Sequence, residues 1–468
     1  MVISDAPVRT ARPALVLLAV SMGQFLLQLD LTIVNVALPD IGTSTGASVT
    51  GLQWVVDGYN LAVASLLLIG GRIGDRSGHR RVYLTGLGLF ALGSALCAVA
   101  PSAGLLVAFR VLQGAGAALE LPATLAILTH TFTEPRRRAQ AVGIWASAAG
   151  SSLVIGPVLG GLLVSALGWR AVFAVNVPVA AAIAVLTVLA VPETGGSHSG
   201  GLDLRGQLLG SLALALLAGG AIEGGRLGFG ARISVTLLAA GLLAGALFVA
   251  AERRREDPVL QLGLFRRGDY AAVNANGLVM GFVTIGALFV FSLLFQQAQG
   301  LSALAAGFRF LPLTVVFVVV GPLIGRVMHR TGHRLPLATG AALLAVGSLL
   351  TLTVGAAADY GEVIAPFAII GLGYGLLSTP MAAAALAAVP PQRAGMASST
   401  NLTARLVGGV FGVAVLGSFL PAGGTPAPFV AGVHAAMLVA AGVALAGAAL
   451  AAALMRGRPA LTGGGSRI

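Results

Sequence analysis

The sequence predicts an all-α membrane protein of fourteen transmembrane helices, built as two six-helix bundles with an inserted helix pair. Three observations predict it. The 468-residue chain is 57% hydrophobic and 9% charged, whereas a soluble domain carries about 25% charged residues, so it lacks the polar surface to face water all round. Its apolar residues arrive in long runs, able as helices to cross a hydrocarbon core roughly 30 Å thick. A ten-residue segment also recurs at equivalent places in the two halves.

The runs fall at about 13–38, 51–70, 82–100, 104–128, 139–165, 170–191, 205–224, 231–250, 270–297, 304–325, 334–356, 360–388, 395–420 and 430–455. They are continuous, without the alternation of an outer-membrane barrel, and hydrocarbon admits only helices or closed barrels. The first run follows Arg9 and Arg12 and is too long for a signal-peptide core, so it reads as an uncleaved first helix. A single cysteine, Cys97, inside an apolar run excludes a disulfide framework and a cysteine-based metal site.

The charge pattern sets orientation. The formal charge is +12 and the pI 11.4, which in a soluble chain would suggest a phosphate binder. Here all 28 basic residues are arginine, and they sit in short connections that form no continuous basic face. With the N-terminus inside, 22 of them lie on cytoplasmic segments and 4 (Arg170, Arg226, Arg232, Arg309) outside; Arg110 and Arg405 lie within runs. That bias predicts cytoplasmic termini and a lipid bilayer, not nucleic acid, as the partner. Arginine without lysine, with abundant Ala, Gly and Val, fits a GC-rich bacterial genome, hence a bacterial plasma membrane.

The repeat sets the domain plan. Residues 71–80 read GRIGDRSGHR and residues 325–334 read GRVMHRTGHR, identical at six of ten positions. The copies follow the second and tenth runs. An offset of eight helices makes sense if homologous bundles at 1–191 and 257–468 flank an inserted pair at 192–256. Parallel repeats of this kind build a large transporter fold with its substrate site near the midplane between the halves.

The motifs are recognisable. LDLTIVNVALPDI (Leu29 to Ile41), GRIGDRSGHRR after the second run, RVLQGAGAA (Arg110 to Ala118), GPVLGG (Gly156 to Gly161), WRAVFAVNVPVA (Trp169 to Ala180) and QGLSALAAGFRFLPL (Gln299 to Leu313) occur in this order. Together they resemble the major facilitator superfamily and, within it, the fourteen-helix drug:proton antiporters. The resemblance covers nearly the whole chain. It implies a cytoplasmic gate at Gly71, Asp75, Arg76, Gly78 and Arg80, and an antiporter motif at Gly150, Gly156, Pro157, Gly160 and Gly161. It departs in the second gate copy, where His329 stands in place of Asp75.

Charged residues inside the runs are the coupling candidates. A charge at the centre of a membrane helix costs roughly 2.5–3.5 kcal/mol on insertion scales, so it faces a cavity or a partner. Asp30 either exchanges a proton for a cationic substrate or locks the first helix as a structural carboxylate. Counted from Leu38 and Gly104, Asp30 and Arg110 lie about 12 and 9 Å deep at a rise of 1.5 Å per residue, so Arg110 is the expected partner. Glu120, outside the family motif, is a second proton or cation candidate against a packing role. Asp57 and Glu223 read as interfacial, and Arg405 as a packing residue held by backbone carbonyls. In the gate, Asp75 could accept from a helix N-terminus of the other bundle, where an anion is favoured. The glycines of the fifth run also suit generic close packing of helices.

The scattered histidines form no zinc cluster, and without lysine there is no GxxxxGK[ST] loop for ATP. The expectation is a proton-coupled exporter of amphipathic small molecules, not an enzyme. It would act as a monomer, with no cofactor beyond the proton motive force and no metal. A dedicated exporter of one endogenous antibiotic or siderophore is the alternative.

Overall fold

The structure is a computed structural model, and it describes residues 13–193, 204–255, 260–389, 394–421 and 425–455. Among the described residues there are helices and connections and no strands. The α-helices are α1 (Pro13–Thr45), α2 (Val49–Ser77), α3 (His79–Ala98), α4 (Ala103–Thr131), α5 (Pro135–Leu167), α6 (Ala171–Ala174), α7 (Asn176–Ala190) and α8 (Leu204–Leu227). Then follow α9 (Arg232–Arg253), α10 (Gly268–Leu293), α11 (Ala303–Arg309), α12 (Leu311–Thr331), α13 (Arg334–Leu350), α14 (Tyr360–Ala387), α15 (Ala394–Gly417) and α16 (Pro426–Leu454).

Thirteen described helices are long and apolar enough to cross a membrane, with α6 and α7 forming one span. A fourteenth is α2, which bends by 52° between Leu67 and Ile69. The spans start and stop where the chemistry changes. Ser48 and Ser102 cap α2 and α4 by accepting from the amides of Gly51 and Leu105, each at 3.4 Å, satisfying donors a helix start leaves free. Gly78, at φ 92°, ends α2 and opens α3, a left-handed turn that glycine adopts at little cost. Several helices outrun the expected runs, α2 to Ser77 and α12 to Thr331 among them, and α1 runs through Pro39 to Thr45. Its extra turns are held from outside, since Asp40 accepts from the Trp169 amide at 3.1 Å and Ser44 from the Trp169 indole at 2.6 Å.

The chain forms two compact units, residues 1–212 with 302–307, and residues 213–301 with 308–468. In the first, α2, α3 and α4 pass almost backbone to backbone. A Cβ on Gly93 would stand 2.7 Å from the Gln113 backbone, and one on Gly114 would stand 2.6 Å from the Tyr59 carbonyl oxygen. Close approach through small residues is how helices pack where lipid removes the hydrophobic drive. In the second unit, α10 lies against α15 in the same way, through Gly281, Gly408 and Gly412. Phe291, Phe295, Phe310 and Phe367 stack there into a buried aromatic cluster. The pair α8 and α9 meet through Gly220 against Leu238 and Gly241 against Leu217.

Candidate functional site

The first unit buries the charges. Asp30 of α1 is fully enclosed, and its Oδ2 accepts from Arg110 Nη1 of α4 at 2.5 Å. Its Oδ1 accepts from Gln113 Nε2 at 2.8 Å and from Asn176 Nδ2 at 2.9 Å. Arg110 in turn donates to Gln113 Oε1 at 2.6 Å and to the Val55 carbonyl of α2 at 3.1 Å. The Tyr59 ring lies 4.3 Å below its guanidinium, a cation–π contact strengthened by desolvation. Ser94 of α3 completes the cluster by accepting from Gln113 at 2.7 Å. Five helices therefore converge on one carboxylate. Asp30 and Arg110 meet as their matching depths predict.

Gln113 and Asn176 were not singled out from sequence, although both sit in quoted motifs. The usable signal was a lone amide in an apolar run, since a buried amide needs a partner. The first-helix motif and the WRAVFAVN segment interlock twice, Asp40 with Trp169 and Asp30 with Asn176.

Glu120 has a different environment. It lies in α4 on the far side of the cluster, about 15 Å along the axis from Arg110 at 1.5 Å per residue. It is fully buried, and neither carboxylate oxygen has a hydrogen-bond partner among the described residues. A Cβ on Gly23 of α1 would collide with both the Tyr83 hydroxyl and the Glu120 carboxylate, so these three share one pocket. Tyr83 donates to the Ala19 carbonyl at 3.0 Å.

Two expectations need correction. Asp57 is not interfacial: it lies about two turns inside α2, is fully buried, and has no partner for either oxygen among the described residues. Position near the end of a run does not specify which helix face a residue occupies, and Asp57 faces inward with Asn60 one turn on. Arg405 is half-buried in α15, and no hydrogen bond from its guanidinium to a backbone carbonyl occurs among the described residues. Glu223 does sit partly exposed, paired with Arg226 at 2.6 Å.

The gate segment is a tight turn. Asp75 and Arg76 are exposed in the last turn of α2, and Asp75 Oδ1 lies 3.5 Å from His79 Nε2. Gly71 faces Pro122, with a Cβ reaching 3.7 Å, and the Gly78 amide donates to the Gly74 carbonyl at 3.0 Å. Arg80 donates to the Val188 carbonyl of α7 at 3.0 Å. In the second copy the side chains of 325–327, 329 and 330 lie outside the described residues, His329 among them.

The α5 motif is a contact face. A Cβ on Gly156 would overlap the Thr32 hydroxyl, and one on Gly160 would stand 2.8 Å from Ile33. Gly161 faces Ala303 and Leu304, and the Pro157 carbonyl faces Gly307. Gly150 lies on the same helix. No cluster of His, Cys, Asp or Glu suited to a metal occurs among the described residues.

Comparison with known proteins agrees with this architecture. The chain is 38% identical to the multidrug resistance protein Stp of Mycobacterium tuberculosis over 408 residues, covering 87% of this chain and 76% of that one. It is 36% identical to the methylenomycin A resistance protein of Streptomyces coelicolor, covering 86% and 84%. To the cephamycin export protein CmcT of Amycolatopsis lactamdurans it is 38% identical, covering 87% and 84%. Among solved structures it superposes on an inward-facing bacterial homolog of the human lysosomal transporter Spinster with a TM-score of 0.67 at 19% identity, covering 96% and 97%. That likeness is one of fold. The sequence model of the Major Facilitator Superfamily matches residues 20–413, and the chain belongs to that family.

Proposed function

We propose that this protein exports drugs, antibiotics or similar amphipathic small molecules across the bacterial plasma membrane in exchange for protons. The observation that carries proton coupling is the set of carboxylates fully enclosed in the first unit: Asp30 beside Arg110, and Asp57 and Glu120 with no hydrogen-bond partner among the described residues. Charge inside hydrocarbon is expensive, and its usual use is an ion or proton path. Similarity to three resistance and export proteins supports the substrate class.

Transport proceeds by alternating access, with residues 1–191 and 257–468 as the two bundles and 192–256 as the inserted pair. The chain works as a monomer without a cofactor, driven by the proton motive force. The face bearing the α2–α3 turn is cytoplasmic, as are both termini. On that face Gly71, Asp75, Arg76, Gly78 and Arg80 form the gate. Gly150, Gly156, Pro157, Gly160 and Gly161 form the antiporter motif of α5, in which Gly156 and Gly160 hold α1 at close range and Pro157 and Gly161 meet α11.

Inverted vesicles energised by respiration are expected to accumulate ethidium, with accumulation abolished by a protonophore. Relatives named for a single antibiotic favour a second reading, a dedicated exporter of one metabolite. Accumulation of one antibiotic, with no cationic dye carried, selects that reading. Accumulation that survives the protonophore, or none across dyes and antibiotics, would defeat proton-driven export.

A further inference from the structure

Two of the buried carboxylates of that set, Asp30 and Glu120, lie in helices of the first unit, yet their surroundings are opposite. Asp30 has a guanidinium on one oxygen and two amide donors on the other. Both oxygens of that carboxylate are held by donors, and removing either member of such a buried pair would strand the other. Glu120 has no donor among the described residues. An ionised carboxylate without partners is far costlier inside a protein than its neutral acid, so this is a place where gaining or losing a proton changes the energy most.

The groups facing Glu120 support this. From α1 come Gly23 and the Ala19 carbonyl, and from α3 the Tyr83 hydroxyl, already committed to Ala19. The titratable groups within electrostatic reach are Tyr83 and, on α2, Tyr59. Tyr59 also lies under the Arg110 guanidinium, so its ring adjoins both carboxylate sites. Among the described residues no cation pairs with Glu120 as Arg110 pairs with Asp30.

The same level of the bundle holds the helix defects. Pro122 denies the Ala118 carbonyl its intrahelical donor, and that oxygen instead points at Gly70 of α2. Gly71 meets Pro122 itself, and the 52° bend of α2 lies two residues before Gly70. Gly86 of α3 crosses there too, with a Cβ standing 2.8 Å from the Glu120 amide. Glu120 therefore sits where α2 leaves its straight course toward the gate turn.

We propose that Glu120, which unlike the equally buried Asp57 lies at the level of Pro122 and the bend of α2, takes up and gives up the transported proton, and that the Asp30–Arg110 cluster is a fixed ionic scaffold. The proposal rests on the proton-coupled reading above and assigns its exchanging group. The proton adds to a Glu120 oxygen from water admitted on one face and leaves from that oxygen to water on the other. In its ionised interval Glu120 offers a cationic substrate its counter-charge. Loading changes the charge beside Gly70, Gly71 and Pro122, and this is how the gate segment senses it.

The test uses the full-length protein in lipid, as wild type, Glu120→Gln, Glu120→Asp and Asp30→Asn. Infrared difference spectra should show a buried carboxylic-acid C=O band in wild type that is absent in Glu120→Gln and shifted in Glu120→Asp. The band should survive in any Asp30→Asn protein that folds. In vesicles, Glu120→Gln should lose at least tenfold of ethidium accumulation against the gradient while its ethidium affinity stays within about threefold; Glu120→Asp should restore part of the loss. A wild-type spectrum without a Glu120 band, or a Glu120→Gln protein that still accumulates ethidium against the gradient, overturns the assignment. Wild-type vesicles insensitive to a protonophore would instead overturn the proton-driven reading, and the band still reports where the proton sits.

Discussion

The two units share a repeated sequence signature and differ in what they bury. The first encloses Asp30, Asp57, Glu120 and Arg110 within its helices. The second, among its described residues, buries one charged side chain, Glu252 near the end of α9, which accepts from the Leu260 amide at 2.8 Å. Its interior is held by packed rings, with Phe310 and Phe367 stacked 5.7 Å apart. Two units that share a sequence signature can thus reach stability by different means: one through a hydrogen-bonded ionic cluster, the other through dispersion between aromatics. The ionic route costs desolvation, so its retention points to work beyond packing.

The comparison breaks most severely at Arg110. Replacing it by alanine leaves Asp30 enclosed and short of its strongest donor. Removing one partner of a buried pair costs about 3–5 kcal/mol. The detergent-purified Arg110→Ala protein should therefore melt well below wild type. Adding Asp30→Asn should recover much of the loss, because the stranded carboxylate is gone. If the double variant melts no higher than Arg110→Ala, the cluster's worth lies in packing and the contrast between the units collapses.

In the second unit the matching variant is Phe367→Leu, which removes ring contacts with Phe291, Phe295 and Phe310. The expected cost is about 1–2 kcal/mol, set by the void left behind. No second neutralising change should rescue it, and salt should leave its melting shift unaltered. A salt-dependent shift would show that charge contributes to this core as well.

These outcomes also bear on what the sequence could reveal. Span number, the repeat and the Asp30–Arg110 pairing were legible because each follows from a one-dimensional quantity: run length, identity, or depth at a fixed rise. The full enclosure of Asp57 was not, since depth along a helix carries no information about its face. Nor were the partners of Asp30 legible in full: Gln113 and Asn176 lie 83 and 146 residues away, and only tertiary packing brings them together. For Glu120 the burial was legible and the absence of donors among the described residues was not. That absence is a property of three neighbouring helices, and it separates Glu120 from Asp30 more sharply than anything in the residue type.

The smallest effect belongs to the pair that looks most like Asp30–Arg110 on paper. Glu223 and Arg226 sit three residues apart in α8, with Nη2 to Oε2 at 2.6 Å, and the arginine side chain is 49% exposed. Neither group is enclosed as Asp30 and Arg110 are, so contact gains less, and holding two flexible side chains costs entropy. Exposed pairs of this kind contribute roughly 0.2–1 kcal/mol and weaken with salt. Arg226→Ala should shift the melting temperature of the purified protein only slightly, and raised ionic strength should erase the shift. Set beside Arg110→Ala, it isolates enclosure as the variable: the same two chemical groups at near-equal distance differ several-fold in worth. A large, salt-resistant loss at Arg226 would mean that the pair is shielded from water in the membrane, and the contrast between the units would then be one of degree.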